Sequence, residues 1–418
     1  MSDPIGGSVN FHRVRVRLDE PVLDDVAGHT DRSLAASGVV LQPGTEVAIA
    51  VGSRGIGDLA TVVGSVVAWV RAQGATPFLV PAMGSHGGAT AEGQRQVLES
   101  YGFGRAELDV EIRSSMDVVT VSGDHDLPFT VVTDACAAAA AATIVVNRIK
   151  PHTDFHGPYE SGLMKMSAIG LGKQVQAEAL HSYGVYGLRE LMPRVAAHVL
   201  ANGNIVAGVA VLENAFDQTM DVQVVPAADI PAVEAELLKL AAAHAPRLPV
   251  DELDVLLIDR MGKDISGVGI DTNVIGRMMI AGEADPSVPR IAMIACMSLT
   301  PASHGNATGM GLADVITRRL ADTIDHDVTR TNIVTSGFLL RGKLPVVADD
   351  DRQAWELCLR GAGILDRATV RAARIVDTLH CNDLWVTDAV LAELSSRADI
   401  EVTNETSSDS HFDDSWPS

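Results

Sequence analysis

Residues 46–90, EVAIAVGSRGIGDLATVVGSVVAWVRAQGATPFLVPAMGSHGGAT, decide the fold. Glu46–Val51 is a short run of apolar residues with no polar alternation, the pattern of a strand buried on both faces. After the turn-rich GSRGIGD, residues Leu59, Val62, Val63, Val66, Val67 and Val70 recur at helical spacing and form one apolar stripe. Gly74 stops that helix, and 76–82 (TPFLVPA) predicts a second buried strand. Its exit, MGSHGGAT, ends in Thr90, an N-cap residue for a following helix. Strand, helix and strand joined by short links predict a parallel βαβ unit.

The same rhythm continues outward. Strands are expected at 143–149 and 205–212, and helices over 188–200 and 230–244. The stretch APRLPVDE, with two prolines, breaks the pattern near residue 246. The rhythm then restarts with strands at 253–259 and 290–299 and helices at 312–324 and 352–359. The expected fold is therefore α/β: two domains with largely parallel sheets, 1–245 and 246–400, and a site in the cleft between them. Residues 401–418 hold five acids and no Lys or Arg, which reads as a disordered acidic tail.

With 418 residues, 32 Lys plus Arg and 54 Asp plus Glu, the chain carries a net charge of −22. Such a surface repels nucleic acid and anionic lipid, so neither is an expected partner. No apolar run reaches the length a membrane helix needs, and the N-terminus shows no signal-peptide core. Cys136, Cys296, Cys358 and Cys381 are widely spaced, form no CxxC pair and read as small core residues in a reducing compartment. The expected location is the cytoplasm.

Ligands of open parallel sheets sit beyond the carboxyl ends of the strands. Four loops leave presumed strand ends with polar or cationic groups: Ser53-Arg54, Ser85-His86, His152 to His156, and Lys263-Asp264. Neither a GxGxxG fingerprint nor a P-loop occurs, so no motif supports NAD or ATP chemistry. His86, among glycines at a strand-to-helix junction, suits anion binding or proton exchange. His152 and His156 lack the third ligand that zinc would need. Lys165, in LMKMSAIGLG, is either a snorkelling surface lysine or a desolvated nucleophile.

GSHGGATAEGQ after a βα unit, and Pro151-His152 followed by Lys165 and then by His181 sixteen residues on, resemble the nickel-dependent lactate racemase family. The resemblance spans roughly residues 45–185 and, more loosely, the C-terminal part. It implies a racemase or epimerase of a small 2-hydroxy acid, working by hydride transfer to a lysine-tethered nickel-pincer nucleotide loaded by cofactor maturation proteins. On that resemblance Lys165 is the tether and His181 the nickel ligand. His86 and His152 are the acid/base pair, and Ser53 and Arg54 contact cofactor or substrate. Lys263, which no motif places, is a further candidate partner of the substrate carboxylate. His156 remains a rival to His152, and Lys173 a rival to Lys165. The chain departs from the family in having Ser161-Gly162-Leu163-Met164 before the lysine, where a Gly-Gly-Arg is expected. Gly87-Gly88 likewise follows the first histidine in place of Arg-Pro. Two alternatives stay open: a related metal-dependent redox enzyme of hydroxy acids, and a non-catalytic ligand-binding protein. The oligomeric state is also open.

Overall fold

The computed structural model describes residues 8–18, 20–52, 55–103 and 108–412. It divides into two compact α/β units. One is formed by residues 20–245, the other by the chain up to residue 19 together with 246–418.

The unit 20–245 is built on a six-stranded sheet. Its order is Glu111–Ile112, Thr76–Pro81, Glu46–Val51, Ala142–Arg148, Ile205–Glu213 and Thr219–Pro226. The first five strands are parallel and the last is antiparallel. Strand residues alternate between the faces, so each apolar run serves two cores. Val47, Ile49 and Val51 join Ile144, Val146 and the Leu59–Ala72 helix in one layer. Ala48, Ala50, Val145 and Ala210 face the other, which holds Leu163, Met164, Met166 and Ile169. The six apolar residues expected to line the Leu59–Ala72 helix are all buried. Thr90 caps the Ala91–Ser100 helix, its hydroxyl accepting from the Gly93 N–H at 3.0 Å.

The second unit has an eight-stranded sheet. Its order is Val346–Ala348, Val315–Thr317, Arg290–Cys296, Glu252–Ile258, Ala372–Ile375, Asp383–Thr387, Asn10–Val16 and Ile400–Ser408. The first five strands run parallel, and the last three are joined by antiparallel pairing.

Three expectations change here. The N-terminal strand Asn10–Val16 belongs to this unit, not to a domain 1–245, because it pairs with Asp383–Thr387 and Ile400–Ser408. Residues 401–412 do not form a disordered tail. The acids Glu401 and Glu405 pair with Arg17 and Arg13 across the strands. Asp409 is buried, taking Arg367 at 3.0 Å and the Trp355 Nε1–H at 3.2 Å. A run of acids thus reads as solvated only until its arginines, nearly 400 residues away, are brought beside it. Residues 413–418 lie outside the described residues. Finally, 312–324 is not one helix. Val315–Thr317 is a strand whose three residues are all buried, followed by a short helix, Arg318–Ala321. Three consecutive buried β-branched residues suit an internal strand rather than a one-sided helix.

Cys296, Cys358 and Cys381 are buried free thiols, and Cys136 is partly exposed. Burial raises the Cys296 and Cys358 thiols to about 12, so they are inert core residues. Among the described residues no helix is long and apolar enough to cross a membrane.

Candidate functional site

The segment 162–181 starts beyond the end of the Ala142–Arg148 strand and packs against the sheet face that carries Ala48, Ala50, Val145 and Ala210. It is a one-turn helix, Leu163–Lys165, running into a π-helical turn, Met166–Gly170, and then the helix Lys173–His181. The π turn is closed by the Leu171 N–H on the Met166 carbonyl at 2.9 Å, an i to i+5 bond of the kind often found at functional sites. Small residues admit the segment. A Cβ on Gly208 would stand 2.5 Å from Leu163, one on Gly52 2.5 Å from Met166, and one on Gly170 2.8 Å from the Ala82 carbonyl. Larger residues there, or at Ala48 and Ala50, would push Lys165 away from the sheet.

Lys165 and His152 meet. Lys165 Nζ lies 2.5 Å from His152 Nε2. The Asp154 N–H donates to the other ring nitrogen of His152 at 3.0 Å, which orients the ring with Nε2 toward the amine. The His152 ring also packs on Phe155, with centroids 4.7 Å apart. Its loop is held from below by Glu160, a buried carboxylate that accepts the N–H groups of His152 at 2.6 Å and Gly157 at 3.1 Å. His156 is exposed and faces Glu160 instead, at 3.2 Å. His152, not His156, therefore touches the lysine.

His181 ends its helix close enough to Lys165 for their charges to interact. Burial first, and the Lys165 charge second, lower its pKa from the ordinary 6.5, while Asp154 opposes them. The residue remains exposed by area, so this crowding acts on proton affinity and carries no stability argument. The neutral form it favours is the one whose lone pair binds a metal. Among the described residues the His181 ring has no hydrogen-bond partner, and no three His, Cys, Asp or Glu side chains are grouped as a bare metal ion would need.

His86 is exposed on the loop that leaves Thr76–Pro81. This loop is tied to the lysine segment directly, the Gly84 N–H donating to the Gly170 carbonyl at 3.1 Å. It is also tied through Gln94, which is fully buried and donates to the carbonyls of Gly84 at 2.9 Å and His86 at 3.2 Å. Gln94 is in turn held by Lys173. That lysine has no exposed surface and sends Nζ to the Pro81 carbonyl at 2.5 Å and to Gln94 Oε1 at 3.1 Å. Asp134 Oδ2 lies 2.9 Å from the same amine, in an approach too oblique for a hydrogen bond, so charge carries that contact. Lys173 is a buried strut and not an available amine.

Ser53 and Arg54 lie outside the described residues. Lys263 belongs to the other unit, where Nζ donates to the Gly267 carbonyl and to Asn332 Oδ1 at 2.9 Å. Four residues that hold the site escaped sequence reasoning: Gln94, Asp134, Glu160 and Glu234. Only Glu234 had a signal, as the single carboxylate on the buried stripe Ile230, Glu234, Leu237, Leu238, Ala241 of its helix.

No family model matches the chain. Nor does any curated protein match it in sequence. Among solved structures it is similar to the lactate racemase apoprotein from Thermoanaerobacterium thermosaccharolyticum, with a TM-score of 0.53 and 10% identity. The match covers 90% of this chain and 99% of that one. At that identity the likeness is one of fold, a divergent lactate racemase-like architecture.

Proposed function

We propose that this chain is a racemase or epimerase of a small 2-hydroxy acid, carrying a nickel-pincer nucleotide on Lys165. The observation that carries this reading is the Lys165–His152 contact, with His181 within reach of the same charge, at a strand exit of a lactate racemase-like fold. The donor set fits the group. A pincer that brings two sulfurs and a ring carbon asks the protein for one further ligand, and His181 offers a single imidazole without a competing hydrogen bond.

When bound, the group supplies a hydride acceptor beside the substrate's α-carbon. The chain's own residues would do the rest. Lys165 would give up its amine to the tether, becoming a neutral thioamide. That change would leave His152 Nε2 free to take the substrate's hydroxyl proton as the α-carbon becomes planar, and to return it when the alcohol re-forms. His86, on a separate glycine-rich loop, would serve as the second acid/base for the opposite enantiomer. Arg54 and Lys263 are the proposed partners of the substrate carboxylate, which needs a local cation in a chain of net charge −22. Cofactor maturation proteins are the proposed partners, and the cytoplasm the proposed location.

The test is to co-produce the chain with a pincer-cofactor maturation system and analyse it by peptide mass spectrometry and metal content. A nucleotide-sized increment on the Lys165 peptide, with one nickel per chain, supports the reading. Lys165→Ala should lose both, and His181→Ala should lose nickel while keeping the increment. An unmodified Lys165 without nickel overturns the cofactor assignment. Full activity in a loaded enzyme lacking both His86 and His152 overturns their roles.

A further inference from the structure

The lysine helix is only three residues long, too short to hold its own geometry. The residue at its N-cap, Gly162, has no side chain to cap it. The cap comes instead from Glu234, on the Ile230–Ala243 helix, seventy residues later. Glu234 is 1% exposed, and its Oε2 accepts the Met164 N–H at 2.8 Å. Its Oε1 is buried without an aligned hydrogen bond and lies 2.3 Å from where a Cβ on residue 162 would stand. Gly162 is therefore required because a distant carboxylate occupies the space of its side chain. The same glycine's carbonyl takes the Asn147 amide at 3.2 Å, tying the turn to the Ala142–Arg148 strand.

We propose that Glu234 is the positioning residue for Lys165: its buried carboxylate anchors the first turn of the lysine helix and so fixes Nζ against His152. The inference deepens the reading of Lys165 as the reactive amine and rests on it. The anchor is strongest as an anion, because a carboxylate accepts peptide N–H groups better than a neutral acid does. Among the described residues Glu234 has no cation beside it to keep it ionised. Burial raises it to about 7, opposed only by the Met164 and Leu163 amides. The titratable groups on the elements packed against its helix are Lys165, Glu213, Asp221 and Asp229, and those on its own helix are Glu236 and Lys239. None of them contributes to that shift. Anchoring should therefore weaken as pH falls through about 7.

The experiment is limited acetylation of the full chain with an amine-reactive acetyl ester, read by peptide mass spectrometry. Lys165 is scored against Lys239, which is 72% exposed and serves as the internal standard. Glu234→Ala should release Lys165 from His152 and raise its labelling relative to Lys239 at least fivefold at pH 8. Glu234→Gln, a neutral acceptor like the protonated acid, should be labelled about two- to threefold faster than the parent at pH 8, short of Glu234→Ala. If Glu234→Ala does not fold, the pH series decides. The parent ratio should rise about two- to threefold between pH 8 and 6, toward the value that Glu234→Gln holds throughout. A folded Glu234→Ala with the parent's ratio overturns the proposal, as does a Glu234→Gln labelled as fast as Glu234→Ala. A parent pH series indistinguishable from that of Glu234→Gln also overturns it. Cofactor loading is scored separately. If the labelling changes appear but no parent chain ever acquires the nucleotide increment, the cofactor reading fails and the positioning role stands.

Discussion

Lys165 and Lys173 stand eight residues apart in one segment, in similar apolar surroundings, and the fold gives them opposite tasks. Lys173 is sealed against Asp134, Gln94 and the Pro81 carbonyl, so its charge is matched and its amine is inaccessible. It accepts a left-handed backbone, φ +55°, to do so, a strain that surrounding contacts must hold in place. Lys165 is partly exposed and meets His152. The buried carboxylates near them differ in the same way. Asp134 caps a helix through the Ala137 N–H at 2.8 Å and has a lysine; Glu234 caps one and has none. A matched pair fixes structure, whereas an unmatched group remains able to change its protonation or its bonds. Lys173 with Asp134 is such a matched pair, and among the described residues Glu234 has no cation beside it.

The sharpest way to break this comparison is to exchange each lysine for methionine. Lys173→Met leaves Asp134 buried without a cation and should cost about 3–5 kcal/mol, as urea unfolding at pH 7 would show. Lys165→Met, by contrast, should change stability by less than about 1 kcal/mol in the same assay. Equal losses would erase the distinction between strut and reactive amine.

Next in size is the stability contribution of Glu234. Its carboxyl titrates at about 7 in the fold and near 4.5 in the unfolded chain, so between those values the folded protein holds the extra proton. Its stabilising contribution is thus fully present below 4.5 and lost as pH rises through 7. The buried anion then costs roughly 3 kcal/mol above pH 8. Glu234→Gln should therefore be more stable than the parent at pH 8.5 and equal to it at pH 4.5, measured by urea midpoints. A parallel pair of curves would show that the carboxylate has found a partner. The smallest expected effect belongs to Thr90, whose loss as an N-cap in Thr90→Ala should cost about 1 kcal/mol of thermal stability. Because that helix also carries Gln94, the measurement sharpens how firmly the His86 loop is clamped.

Periodicity was legible to within a residue or two where the apolar spacing of an element is unbroken, but not over 312–324, where a buried three-residue strand precedes a short helix. The Glu46–Val51 strand, the Leu59–Ala72 helix and the Ile230–Ala243 helix all follow from side-chain spacing. The candidate site was legible as a set of loops with unusual residues: His86, His152, Lys165 and His181 were all visible as residue types at odd positions. Their supports were not. Glu234 sits seventy residues from the turn it caps, and Asp134 and Gln94 look like ordinary polar residues until Lys173 is folded between them.

The division has a physical cause. Local sequence determines hydrophobic period, capping and turn chemistry, because these depend on neighbours within a few residues. It therefore determined the two α/β units and the strand exits that carry the polar groups. Charge compensation is long-range in sequence and short-range in space. Only the tertiary structure decided that the acidic C-terminal stretch is a strand facing Arg13 and Arg17, that Lys173 is a strut, and that Lys165 is held beside His152 by an uncompensated carboxylate.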